Sequence, residues 1–225
     1  MSKSVRVIGG LCAAAAIGGN IALADDIDLR IVGGKIQTHL VSEIGVPLGP
    51  SRVFGGGFAE VSGQWFADDP GFQVAPGQLN SGGNLLVAFT QAMRVWNGSN
   101  FATIAANSVT ATYGIPSNTI TTPFTDMVTA NLLLPVQAGG GLHEHPDLEL
   151  NVAPGNNDPA FYLVTGRLSY AGVQDSDPFF IVFGVNATDD QIGEIQDWVN
   201  TNLVPAPAAL SLFMGIGVLA ARRRR

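Results

Sequence analysis

The 225-residue chain is 46% hydrophobic and only 13% charged, with a formal net charge of −7. That composition suits one domain with a sizeable core and excludes a highly charged disordered chain. Six of the 11 basic residues (Lys3, Arg6 and Arg222, Arg223, Arg224, Arg225) sit at the two ends, so residues 25–203 keep five basic side chains against all 18 acidic ones, a formal −13. Such a body repels phosphate backbones and anionic membrane surfaces, which argues against nucleic acid as a partner.

Residues 1–24 read as a secretory signal peptide. Lys3 and Arg6 form the positive region, Val7 to Ile21 is apolar and rich in small residues, and Ala22-Leu23-Ala24 offers a cleavage site before Asp25. Cys12, the single cysteine, lies within this peptide. A mature chain starting at Asp25 therefore has no disulfide and no thiolate metal site.

Residues 25–203 read as one all-β domain, a β-sandwich or jelly roll with one C-terminal amphipathic helix. Leu29–Val32 and Lys35–Val41 flank Gly33-Gly34, a hairpin signal because two glycines accept the positive φ of a tight turn. Further strands are expected at Ser51–Phe54, Gly57–Val61, Leu85–Phe89, Met93–Trp96, Ser108–Tyr113, Asn131–Val136, Leu148–Val152, Phe161–Tyr170 and Phe179–Val185. Turn clusters separate them, among them Asp69-Pro70-Gly71, Asn80-Ser-Gly-Gly83 and Gly139-Gly-Gly141. The acidic pairs Asp68-Asp69 and Asp175-x-Asp177 read as turn-capping residues in preference to calcium ligands. The helix begins at Thr188, whose spacing to Gln191 makes a capping box, and carries Ile192, Ile195, Trp198 and Val199 as one apolar stripe. Asn200–Leu203 is then a short linker.

The densest polar segment is Leu142-His-Glu-His-Pro-Asp-Leu-Glu-Leu-Asn-Val152. As one extended strand it places His143, His145, Asp147, Glu149 and Asn151 on one face. Two imidazoles and a carboxylate suit a divalent metal such as zinc. His143, His145 and Glu149 are the candidate ligands, with Asp147 or the distant His39 as alternatives for the third position. Glu149 lies roughly 20 Å along a straight strand from His143, so it joins only if Pro146 breaks or folds the strand.

The C-terminal residues 204–225 form a three-part tail: Val204-Pro205-Ala206-Pro207, an uncharged stretch from Ala208 to Ala221, and Arg222, Arg223, Arg224 and Arg225. As a helix the apolar part covers roughly 20 Å, a marginal membrane span once flanking residues and snorkelling arginines are included. The tail resembles the PEP-CTERM sorting signal, with Ala206 where that family usually has glutamate. The resemblance implies an exosortase-type sorting enzyme as partner, transient anchoring in the membrane by the tail, and release to the cell surface or extracellular matrix. His143-x-His145-xxx-Glu149 resembles the first metal motif of cupins, whose second motif has no counterpart because no histidine follows His145. The His-x-His segment, Tyr162-Leu-Val164 and Ser176–Phe183 before a helix are together similar to exported bacterial PEP-CTERM proteins without an assigned activity.

The chain carries no nucleophile elbow, phosphate-binding loop, dinucleotide fingerprint or H-E-x-x-H helix. The expected function is therefore that of a secreted, non-enzymatic, cofactor-free surface or matrix protein in contact with glycan or other exported proteins. The alternative is a metal-binding protein centred on His143 and His145.

Overall fold

In a computed structural model the described residues are 26–41, 46–152 and 160–205. The signal-peptide reading, Pro207 and the terminal arginines fall outside them. The described chain is β-rich, with two curled sheets and one helix, and is sandwich-like as expected.

The Gly33-Gly34 hairpin forms as its sequence requires. Strands β1 (Asp26–Val32) and β2 (Lys35–Val41) pair antiparallel from Ile27 opposite Leu40 to Val32 opposite Lys35. Gly33 and Gly34 take φ of 60° and 81°. β3 (Pro47–Pro50) continues this sheet beyond β2. On the other side of β1 runs β6 (Gly71–Val74), parallel to it, and then β13 (Leu142–Glu144) at the edge. The five-stranded order is β13-β6-β1-β2-β3.

The larger sheet takes its strands from the whole chain. Its early members are β4 (Val53–Val61), β5 (Gln64–Ala67), β7 (Asn84–Phe89) and the short β8 (Arg94–Val95) and β9 (Thr103–Ile104). The later ones are β10 (Ser108–Thr112), β11 (Thr119–Thr121), β12 (Leu132–Pro135), β14 (Asp147–Asn151), β15 (Ala160–Ser169) and β16 (Phe179–Val185). They run in the order β11-β10-β14-β5-β4-β16-β15-β7-β12, with β8 and β9 beside β15.

β16 explains the layering. All seven of its residues are buried, as expected for an apolar run covered on both faces. Phe179, Ile181, Phe183 and Val185 enter the main core between the sheets, while Phe180 and Val182 enter a second cluster under helix α1 (Asp189–Asn202). Each buried phenylalanine of this strand contributes about 1.5–3 kcal/mol relative to exposure. Phe179 requires a close approach: a Cβ on Gly166 would lie 2.4 Å from its ring.

The helix has the expected capping box, with Thr188 and Gln191 bonding each other's backbone. Ile192 and Val199 are buried, and Ile195 and Trp198 pack beside them. The helix runs to Asn202 and ends at Leu203, beyond the expected start of the linker, because Leu203 N still donates to Val199 O. Gln196 is buried within the same face.

Two strand expectations need correction. Val53-Phe54 of the first and Gly57–Val61 belong to one strand, β4, with Ser51 and Arg52 ahead of it, since the glycines between them remain extended and let β16 approach; a Cβ on Gly56 would meet Phe183 at 2.9 Å. The segment 142–152 is two strands in different sheets, β13 and β14, separated at His145-Pro146.

The large sheet also draws its two edges together. Asn118, just before β11, donates from Nδ2 to Leu133 O of β12 at 2.8 Å and accepts from Leu133 N at 2.9 Å. One side-chain amide thus makes the pair of bonds that a neighbouring strand would make. Replacing Asn118 with alanine should cost about 1–2 kcal/mol in urea unfolding and speed hydrogen exchange at Leu133, whose amide loses its acceptor.

Candidate metal centre

The site is built on the outer face of the five-stranded sheet. In β1 the alternation is strict: Ile27 and Leu29 are buried in the core, so Asp26, Asp28 and Arg30 face the other way. β6 and β13 add Gln73 and His143, which stand opposite each other in register. Asp26 stands opposite Gly71, and Asp28 opposite Gln73, on the far side of β6. His145 follows β13 and lies against Gly71.

Three groups meet there. Nε2 of His143 and Nε2 of His145 are 3.1 Å apart. Asp26 faces both, with Oδ2 3.2 Å from the first and Oδ1 3.3 Å from the second. Among the described residues this is the cluster whose spacing suits a metal ion. Its burial is graded: the Asp26 side chain is 13% exposed, His145 35% and His143 60%. Oδ1 of Asp26 is enclosed and accepts no hydrogen bond.

The other side of His145 is also occupied. Its Nδ1 lies 3.0 Å from Asp68 O and 3.2 Å from Asp69 Oδ1. In the neutral ring, two oxygens at that nitrogen place the proton on Nδ1 and leave the Nε2 lone pair turned toward Asp26 and His143. In that tautomer a nitrogen lone pair faces an enclosed carboxylate oxygen, an arrangement that a cation or a second ring proton resolves. Gly71 makes the approach geometrically feasible: a Cβ there would stand 2.5 Å from Asp26 Oδ1 and 2.6 Å from Cε1 of His145.

The sequence-derived ligand set is partly reassembled. His143 and His145 do share a face and converge. Glu149 does not join them: it lies on β14 between β10 and β5, in the other sheet, where its Oε1 accepts from Gln64 Nε2 at 3.3 Å. Asp147 and Asn151 belong to the same strand as Glu149. His39 is on the same sheet but on β2, with β1 and β6 between it and β13; its Nε2 lies 3.2 Å from Gln37 Oε1, and burial followed by the Arg30 charge lowers its pKa. The third ligand position goes to Asp26, and the Asp68-Asp69 pair orients His145. The signal for Asp26 was the Asp-Ile-Asp-Leu-Arg-Ile alternation of residues 26–31; the parallel pairing of β1 and β6 that delivers it to the histidines has no local signature. Of the sorting-tail residues, Val204 and Pro205 are described, just past Leu203, with Val204 packed on the helix cluster.

β13 is pinned from its inner side. Tyr113 Oη donates to Glu144 Oε2, and burial first, then this contact with Glu144, pushes the phenol up to about 12. Because the folded value is raised, the associated stability is fully present below the ordinary tyrosine range near 10 and is lost as pH rises through about 12. Denaturant midpoints should therefore fall between about pH 10 and pH 12, and Tyr113→Phe should flatten part of that fall; equal slopes in both proteins would show that the contact is not made.

Compared with known protein families and with curated proteins, the chain matches no family model and no curated protein.

Proposed function

We propose that this protein is an exported, non-enzymatic β-sandwich that binds a first-row divalent ion, zinc or a close analogue, through Asp26, His143 and His145. It keeps the exported, non-enzymatic role of the first reading open from the sequence and takes the histidine centre from the alternative. The observation that carries it is the convergence of two imidazole nitrogens and a carboxylate at 3.1–3.3 Å from one another. Ligands held about 2.0–2.1 Å from a tetrahedral zinc stand about 3.3–3.4 Å apart, and an octahedral ion with slightly longer bonds has edges nearer 3.0 Å. The donor spacing falls in that interval. Three protein donors leave at least one coordination position to an outside ligand.

Export and sorting belong to the same proposal. Their support is the composition of residues 1–24 and the three-part layout of residues 204–225. No described helix is long and apolar enough to cross a membrane; the tail assigned that role lies outside the described residues apart from Val204 and Pro205. In this reading an exosortase-type enzyme processes the tail, and the acidic body is delivered to the cell surface or extracellular matrix.

Elemental analysis of the purified protein should find about one ion per chain, removable with EDTA. Restoring zinc at a hundredfold excess over Kd should add about 2.7 kcal/mol of stability by mass action. His143→Ala, His145→Ala and Asp26→Asn should abolish that increment. Gly71→Ala should do the same with every donor still present, and Asp69→Asn should weaken the ion about 10–100-fold. Glu149→Ala should have no effect. Identical melting with and without Zn²⁺, Mn²⁺ and Cu²⁺ would overturn the proposal.

The sorting half has its own test. Deleting Pro205–Arg225 should move the protein from the envelope fraction to the soluble medium, and unchanged fractionation would count against a sorting tail.

A further inference from the structure

The donor set at Asp26, His143 and His145 is incomplete, and it adjoins a cleft. His143 is both a member of the triad and part of the wall of a cavity of about 650 Å³ on the outer face of the five-stranded sheet. Gln73, the cross-strand partner of His143, also lines the cleft, as do Gln78 and Gln137. A carboxamide presents a donor and an acceptor in one plane, which matches adjacent hydroxyl groups on a ring. Arg30, the only lysine or arginine among the described residues lining the cleft, is held through Nε by Asp28 at 3.0 Å. The polar part of the lining is therefore His143, three amides and the Arg30–Asp28 ion pair, set among apolar residues such as Leu29, Ile31, Val32 and Pro47.

The long-range charge selects the anchoring group. A body of formal charge −13 repels anions everywhere except where a cation is fixed. A divalent ion on Asp26, with the histidines neutral, would carry one unit of positive charge in its own coordination sphere and keep an open position beside His143, with Asp69 behind His145 balancing it from outside that sphere. A carboxylate fills such a position well, because hard oxygen donors complete the sphere of a first-row ion held by two imidazoles.

We infer that the cleft takes a polyhydroxylated carboxylate, the chemistry of an acidic sugar, with the carboxylate on the ion and the hydroxyls on Gln73, Gln78 and Gln137. The inference rests on the ion-binding reading above and goes further by naming what the open position receives. Ligand capture is then conditional on the metal, and a neutral sugar lacks the anchor.

The test uses the purified protein loaded with Co²⁺, whose visible spectrum reports its coordination, titrated with galacturonate. Galactose serves as the uncharged control and acetate as the control without hydroxyls. Galacturonate should shift the cobalt spectrum and bind at least about tenfold tighter than either control, and removing Co²⁺ should weaken it at least about tenfold. Gln78→Leu and Gln137→Leu, both at exposed positions, should each weaken galacturonate about fivefold and leave Co²⁺ affinity within about twofold. A bound cobalt whose spectrum does not respond to galacturonate, or equal binding of acetate and galacturonate, or equal binding with and without cobalt, overturns the cleft assignment alone. Failure of Co²⁺ and Zn²⁺ to bind at all overturns the ion-binding reading and this inference with it.

Discussion

Pro146 sets the plan of the site. It has no amide hydrogen to give to a ladder, and it is buried between two strands that belong to different sheets. The chain pairs with β6 as far as Glu144, turns through His145-Pro146, and then pairs with β10 and β5 from Asp147 onward. The crossing leaves the two histidines at the edge of one sheet and carries Glu149 into the other. It also places His145 beyond the last paired residue, where the ring is free to lie over Gly71 and meet the loop carbonyl of Asp68.

The centre borrows its rigidity from the core behind it. Ile27 and Leu29 are nearly inaccessible to solvent, and with side chains alternating along β1 their burial orients Asp26 and Asp28 outward. Leu142 does the same for His143, and the contact from Tyr113 to Glu144 holds β13 from the opposite side. Donor groups fixed by such packing lose little freedom on binding an ion, which is the physical meaning of a preorganised site. The edge position adds the complementary property: His143 remains largely open to solvent, so an ion held there would stay accessible to outside ligands.

Close approaches at small residues recur where the fold and the site are tightest. Gly166 admits the ring of Phe179, Gly56 admits Phe183, and Gly71 admits both His145 and Asp26. The first two serve the packing of β16, the strand buried on both faces. The third serves no core contact and brings two polar side chains together over one backbone position. An acidic body with few cations has every electrostatic reason to keep Asp26 and Asp69 apart; their placement on either side of His145, with the Asp68 carbonyl beside Asp69, concentrates negative potential at the point where a cation would sit.

Local sequence was enough for the elements that local physics controls. The Gly33-Gly34 hairpin, the Thr188 capping box, the continuous apolar run of β16 and the all-β class all follow from turn chemistry and side-chain periodicity within a few residues. The convergence of His143 and His145 on one face was legible for the same reason, since two residues apart on a strand is one face. The third ligand position was not. Asp26 is 117 positions from His143 in the chain, and they meet only because β1 runs parallel to β6 while β13 runs antiparallel to it. β6 opens with Gly71, which together with Asp69 and Pro70 reads locally as a turn, so neither the strand nor its register could be seen in advance. Which sheet receives each half of residues 142–152, and therefore whether Glu149 or Asp26 completes the triad, was decided by tertiary pairing, because backbone hydrogen bonding between distant strands leaves no pattern in either strand alone.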